Sequence, residues 1–409
     1  MVLRSGTSHG VPHSKLPVDD LFDGLHILYF CTLVMASLSL PEYKGSTVDV
    51  SIIHAGQTSV PTAYVFKTPI PGHDTLNIPC YSFLIENKRN NEKVLFDLGL
   101  RKDWKEKLPP ANAGGHTNRG WHYQVLNQIE SSKAVLDIEH DVVDQLRADG
   151  ISLDSISAII WSHHHIDHTG DPSLFPPSTK LVVGPGFKSH ATTFPGYPSN
   201  ADALVTDDAF IGRDLVELDF TDSINTGGFL AVDFFHDGSL YLLRSNGHTH
   251  NHISALARTS ENRFIFLGGD IAHHPGEFRP TKHLPLPSEI SLWPVGQQST
   301  HAASVCPAAV FEAISPARER GLDARVTTFY ELNAAMNESL EDAEVSLERM
   351  MEFDASCDVW VIIAHDASLR DILPFFPKRL TDGDVEGYKD NSTWRFLRDI
   401  PVAISGFAE

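Results

Sequence analysis

Cysteine is scarce in this chain: Cys31, Cys80, Cys306 and Cys357 are the only four among 409 residues. None forms a CxxC pair, and their scatter is not that of a disulfide framework. They are expected to be reduced, buried, small hydrophobes, which leaves histidine and carboxylate to build any metal site. Positive charge is short as well, with 32 Lys and Arg against 53 Asp and Glu and a formal net charge of -21. Proteins that bind polyanions carry a basic stripe. The nearest basic pairs here, Lys88-Arg89 and Arg101-Lys102, sit beside acidic or apolar neighbours. No nucleic-acid partner is expected. The apolar run Leu25–Leu40 is 16 residues long, short of the roughly 20 that a membrane helix needs. Asp19, Asp20 and Asp23 precede it, where a signal peptide would carry basic residues. Residues 1–40 are therefore expected to form an irregular, partly apolar extension, and residues 41–409 a single domain. Stable membrane insertion is not expected. The location is read as cytoplasmic, with the stretch 25–40 leaving secretion or membrane association open.

What the chain has in quantity is histidine, 22 residues. One stretch concentrates it: Trp161-Ser162-His163-His164-His165-Ile166-Asp167-His168-Thr169-Gly170-Asp171. The preceding run Ile156–Trp161 reads as a short buried strand. Imidazoles and carboxylates packed this tightly repel one another or stay poorly solvated unless a cation sits among them. The His-x-His-x-Asp-His spacing puts His163 and His165 on one side of an extended loop. It turns Asp167 and His168 towards a second point, as two metals a few ångströms apart require. The plainer alternative, a histidine-rich surface loop, has no use for that spacing.

Around this loop the pattern is sheet-like. Short β-rich runs occur at Val48–Ile53, Thr62–Phe66, Tyr81–Glu86 and Lys93–Asp97, the last two joined as a hairpin through Asn87–Glu92. Asp97 reads equally as a turn-capping residue and as one that orients a metal ligand from behind. Residues 101–135 form a loop-rich insertion, His140–Asp149 a helix closed by Gly150, and Leu181–Gly184 a strand. Further strands are expected at Gly228–Phe235, Ser239–Arg244, Ile253–Arg258, Phe264–Asp270 and Val359–Ala364, with helices at Ala308–Ile314 and Ala343–Phe353. Residues 275–300 are proline-rich and read as a pocket rim. Three of the later strands end on His248, on Asp270 and on His365-Asp366. A strand repeatedly followed by a ligand is the signature of a metal site at a sheet edge.

In this order, Asp97 in Phe96-Asp97-Leu98-Gly99, His163-x-His165-x-Asp167-His168, Gly247-His248-Thr249, Gly269-Asp270 and Ala364-His365-Asp366, the chain resembles the metallo-β-lactamase superfamily. The likeness runs from about residue 48 to 370. It is similar within that family to the N-acyl homoserine lactone lactonases and to fungal members that open lactones or lactams. The resemblance implies an α+β fold: a four-layer αβ/βα sandwich of two mixed sheets with flanking helices and metals at one edge. It implies two Zn2+ per chain, one held by His163, His165 and His248, the other by Asp167, His168 and His365, with Asp270 bridging. His165 stands where the dioxygen-reducing diiron branch usually carries Glu, and iron or manganese remains open. His164 falls at the variable position and is expected to be a packed or surface residue. His250 and His252 are expected to do no more than support the ligands. Three residues beyond Asp270 the bacterial lactonases place a tyrosine over the substrate carbonyl, and this chain has His273, whose proton is held nearer neutrality.

The activity implied is hydrolysis of a small cyclic ester or amide by a metal-bridging hydroxide, since metal binding lowers the pKa of water from about 15.7 towards 7. Asp167 and His273 are the expected catalytic residues. His274 stands close by as an alternative hydrogen-bond donor, and Asp97 and His274 are expected to back the ligands. The same ligands also suit a thioesterase or a glyoxalase-like hydrolase, and a non-catalytic scaffold stabilised by metal is a third reading. The ligand set is complete, which argues against that scaffold. A homodimer is left open.

Overall fold

The computed structural model describes residues 38–105, 123–292 and 305–400. The expected N-terminal extension up to residue 37, with Cys31, lies outside the described residues. So do residues 106–122 of the expected insertion and 293–300 of the expected rim. The first sheet contains β1 (Val48–Pro61), β2 (Thr75–Asn87), β3 (Lys93–Phe96), β4 (Val135–Asp137), β5 (Ile156–Ile160), β6 (Lys180–Val183) and β7 (Leu215–Glu217). Their order across the sheet is β4-β1-β2-β3-β5-β6-β7. It is mixed: β1, β2 and β3 pair antiparallel, then β3, β5, β6 and β7 pair parallel.

The second sheet takes β8 (Ile224–Thr226), β9 (Phe229–Asp233), β10 (Leu240–Arg244), β11 (Ile253–Arg258) and β12 (Phe264–Leu267). A separate two-stranded ribbon joins β13 (Glu289–Ser291) to β14 (Val305–Pro307), and β15 (Val359–Ile362) completes the second sheet beside β12, in parallel.

Period-two alternation decides which face each strand turns inward. On β2, Phe83 and Ile85 enter a core shared with Leu242, Ala255, Ile265 and Ile362 of the second sheet, so the two sheets face one another. Leu84 between them points the other way, against Val142, Val143 and Leu146 of the helix Val142–Ala148. Behind the second sheet lies the helix Leu340–Ala355, begun by the Ser339 side chain accepting from Asp342 N and carrying Glu341 and Asp342 in its first turn. Its residues Ala343, Leu347, Met350 and Phe353, at three- and four-residue spacing, pack on Leu243, Phe266 and Val361. Each large side chain so buried contributes about 1.5–3 kcal/mol. Four layers result, as the family resemblance implies.

Two expectations are corrected. Thr62–Phe66 is not a strand: β1 runs on to Pro61, and Thr62–Val65 form a single helical turn. Pro61 has no N–H to continue a ladder, and the Thr62 N–H and hydroxyl bond instead to Asp74 O and His73 O. Cys80 and Cys306 are free and buried, but Cys357 is disulfide-bonded. Spacing in sequence carries no signal for a pairing that the fold makes. Among the described residues no helix is long and apolar enough to cross a membrane.

Candidate metal centre

The cluster forms where both sheets end on the same edge. β5 leads through Trp161, whose indole N–H donates to Thr169 O at 3.0 Å, into the histidine loop. The carbonyl of Ser162 accepts from Ile253 N at 2.8 Å, tying this loop to the start of β11 in the other sheet. A helical turn, Ile166–Thr169, then presents Asp167 and His168. β10 leads to His248, β12 to Asp270 and β15 to His365. Two glycines make the approach possible. Gly247 has φ +134°, and a Cβ there would lie 2.2 Å from Ala343 N, so only glycine lets the His248 loop sit against the helix Leu340–Ala355. Gly269 has φ +54°, and its Cβ would lie 2.8 Å from His252 Nε2.

Asp270 stands at the centre, 3% exposed. Its Oδ1 lies 3.1 Å from His168 Nε2 and 3.0 Å from His365 Nε2. Its Oδ2 lies 3.4 Å from His248 Nε2 and 3.7 Å from His163 Nε2. His165 Nδ1 meets His248 Nε2 at 2.9 Å. Asp167 Oδ2 lies 3.6 Å from His365 Nε2. These separations are close, yet few satisfy hydrogen-bond geometry. Nε2 of His163, His168 and His365 and Oδ1 of Asp270 are all buried without a hydrogen-bond partner among the described residues. Buried polar groups are otherwise paired in native proteins, so orphans gathered at one point are donors aimed at an ion. The residues present fit a metal. Three groupings could hold one: His163, His165, His248 and Asp270; His168, Asp270 and His365; and Cys80, Asp167 and His365.

Charge in the cluster follows the same geometry. Burial would raise the Asp270 carboxyl, but His168, His365 and His273 hold it well below the usual carboxylate range. Burial would lower His168, but Asp270, Asp97 and Asp167 hold it well above its ordinary value. Burial and neighbouring imidazoles push His163 and His248 well down.

Supporting contacts fix the rings. Asp97, at φ +61°, accepts from Ser162 N at 2.6 Å and Ser162 Oγ at 2.8 Å, and meets His168 Nδ1 at 2.9 Å. Of its two readings, the orienting one thus has its contact. His365 Nδ1 donates to Pro79 O at 2.7 Å, which leaves Nε2 as the free nitrogen. His252 supports a ligand, as far as sequence reading allowed it: Nε2 accepts from Asp270 N at 3.0 Å while Nδ1 donates to Ser245 O at 3.0 Å. Burial holds its pKa down at about 3, the neutral form this arrangement needs. His164 is a packed residue, buried with Nδ1 at 3.1 Å from Asn251 Oδ1. His250 binds Glu338 and stacks on His190.

Sequence reasoning missed one donor and misplaced another. Cys80 Sγ, carried by β2, lies within 4.8 Å of ligand atoms of Asp167 and His365. The cluster is therefore not confined to His and carboxylate. His274 does not back the cluster: its extended backbone sends the ring away from His273, towards Phe66, Tyr330 and Phe396, with Nε2 at 3.3 Å from Asp399. His273 does reach the site, with Nε2 at 3.3 Å from Asp270 Oδ2.

A cavity of about 420 Å³ opens onto His165, Asp167, His248, Asp270, His273 and His365. Val60, Val65, Ile78, Val125, Ile129 and Leu136 form its apolar side, and Thr58, Asn337 and Glu338 contribute polar groups. A larger hollow of about 670 Å³, lined by Lys93, Arg379 and Tyr388, holds none of the clustered residues.

Two facing mixed sheets with a histidine–aspartate cluster at one edge and a cavity over it define a metal-dependent hydrolase. The chain belongs to the metallo-beta-lactamase superfamily, whose family model matches residues 77–282. It is 37% identical over 382 residues to gamma-lactamase FDB1 of Fusarium pseudograminearum (strain CS3096), covering 89% of this chain and 86% of that one. It is 38% identical over 381 residues to the cytochrome P450 monooxygenase mpaDE' of Penicillium brevicompactum, where it spans 90% of its own length but 39% of the relative's. A crystal structure of a quorum-quenching N-acyl homoserine lactone hydrolase superposes with a TM-score of 0.50 over 82% of this chain and 98% of that one, at 15% identity, a likeness of fold alone.

Proposed function

We propose that this protein is a dizinc hydrolase that opens a small cyclic ester or amide. The observation that carries the reading is Asp270, one carboxylate whose two oxygens face two separate histidine groups. His163, His165 and His248 would hold one ion, and Asp167, His168 and His365 the other, with Asp270 between them. Imidazole and carboxylate donors suit zinc, with iron and manganese as competitors. When bound, the metal pair supplies a nucleophile at neutral pH and polarises a carbonyl. The chain's own residues do the rest. The cavity, at about 420 Å³, has the size for a small molecule, and its apolar side strips water from the ring it receives. Asp167, on the cavity wall, would steady the second ion and the attacking group. His273 Nε2, buried, without a hydrogen-bond partner and facing the cavity, would carry a proton to the departing oxygen or nitrogen. The relatives named gamma-lactamase and N-acyl homoserine lactonase support the substrate class.

The test is hydrolysis of a panel of lactones, lactams and an acyl thioester by the purified chain, with metal content read on the same sample. Two zincs per chain and chelator-sensitive ring opening are expected. The apolar wall also suits an acyl chain, so cleavage of the thioester alone would replace this reading with a thioesterase. Absence of both metal and turnover would end it.

A further inference from the structure

We infer that Glu338 selects a cyclic amide bearing an N–H over the matching cyclic ester, by accepting that N–H beside the histidines of the first metal point. The inference rests on the hydrolase reading above and narrows its substrate. Glu338 lines the cavity with His165, His248 and Asp270. Its backbone is fixed to the loop that carries a ligand: Glu338 N donates to His248 O at 3.1 Å, and Ser339 N to Gly247 O at 2.9 Å. Its carboxylate is half used. Oε2 accepts twice from His250, from the backbone N at 2.6 Å and from Nδ1 at 2.8 Å. Among the described residues the polar group facing Oε1 is His164 Nε2, at 3.9 Å, beyond hydrogen-bond reach. Nor can His164 turn a donor to it in the neutral form, because its proton is at Nδ1, facing Asn251 Oδ1.

One oxygen thus anchors the side chain and the other is an immobilised acceptor. In a small lactam the C=O and N–H are cis and point to the same side of the ring. A carbonyl turned to His163, His165 and His248 therefore presents its N–H alongside, where Glu338 Oε1 waits. A lactone would bring a ring-oxygen lone pair to the same place, against a carboxylate. Attraction for one ring and repulsion of the other both act at this residue.

The experiment compares kcat/KM of the metal-loaded full chain for a lactam, its N-methyl derivative and the lactone of the same ring. Glu338→Gln keeps an oxygen for His250 but puts an NH2 donor where the substrate N–H would sit. The lactam-to-lactone ratio is expected to fall about tenfold or more relative to wild type, and the lactam-to-N-methyl-lactam ratio to fall with it. A merely structural Glu338 would lower all three substrates together, leaving both ratios unchanged, and that result overturns the inference while the hydrolase reading stands. If Glu338→Gln loses metal, Glu338→Asp, which draws the acceptor back, must show the same fall. A wild-type chain that holds two metals and opens none of the three rings ends the hydrolase reading and this inference with it.

Discussion

Two groups of charge are buried in this protein, and they are built in opposite ways. Around Arg279 each of the three guanidinium nitrogens has a partner: Nε and Nη2 bind the Asp354 carboxylate at 2.7 and 2.6 Å, and Nη1 binds Thr393 O at 2.9 Å. Lys389 nearby donates to Val359 O at 2.7 Å and to Ser356 O. Around Asp270 the donors and acceptors are just as buried, yet imidazole nitrogens and a carboxylate oxygen converge without hydrogen-bond partners among the described residues. Each such orphan costs about 1–3 kcal/mol unless something meets it. The first kind of group is satisfied by the chain itself. The second kind has meaning only with an ion in place.

The comparison breaks hardest at Asp270. Asp270→Ala removes the one group that faces both metal points. Metal content is expected to fall below two per chain and hydrolysis by at least about a thousandfold, read by elemental analysis and kcat/KM. At the other group, Asp354→Ala strands a buried guanidinium and should cost about 3–5 kcal/mol in urea unfolding with no loss of metal. Joint replacement of Arg279 and Asp354 by apolar residues should cost less than the single change. If Asp354→Ala emptied the metal site as Asp270→Ala does, the two groups would not be distinct in kind.

Much of this division can be read from the sequence, for a physical reason. His163, His165, His168, His248, Asp270 and His365 each follow closely on an apolar strand, and strands that end on one edge of a sandwich bring their following residues together. Residues that act through the fold's register are not visible that way. Cys80 reads as one more apolar residue of β2, and only the packing of that strand against the end of β15 sets it beside His365. His252 looks like a spare member of a histidine run until its ring is seen under the Asp270 amide. Glu338 lies in a loop far along the chain, and nothing local marks its carboxylate as half used. The placement of His274 fails as an expectation because neighbours on an extended backbone point to opposite sides, so His273 in the cavity requires His274 out of it.

Lys389 sharpens the comparison through pH. Burial lowers its pKa to about 8 from an ordinary 10.5, with Asp354 opposing and Arg279 adding to the shift. The unfolded chain therefore binds this proton more tightly than the folded one. Between pH 8 and 10.5 the unfolded state holds more protons, so stability should rise as pH climbs through that window, by up to about 3 kcal/mol, and below pH 8 the cost is constant. Urea midpoints measured at pH 7.5 and 9.5 should separate in wild type and converge in Lys389→Met. Equal slopes in both proteins would mean that the ammonium is not strained by its burial.

The smallest effect tests the border between the two kinds of group, at Asp97. This carboxylate is fully hydrogen-bonded, like Asp354, but one of its partners is His168, whose other nitrogen faces Asp270. Asp97→Asn keeps an oxygen for Ser162 N and offers an amide N–H to His168 Nδ1. That would move the ring proton to Nε2, the nitrogen that must be bare to bind an ion. Metal affinity at the second point is expected to drop about 10- to 100-fold, measured by competition with a chelator, while unfolding of the metal-free chain changes by less than about 1 kcal/mol. Loss of stability without loss of affinity would return Asp97 to the turn it caps. Loss of affinity alone would show that a fully paired residue can belong to the site by setting which nitrogen of its neighbour is free.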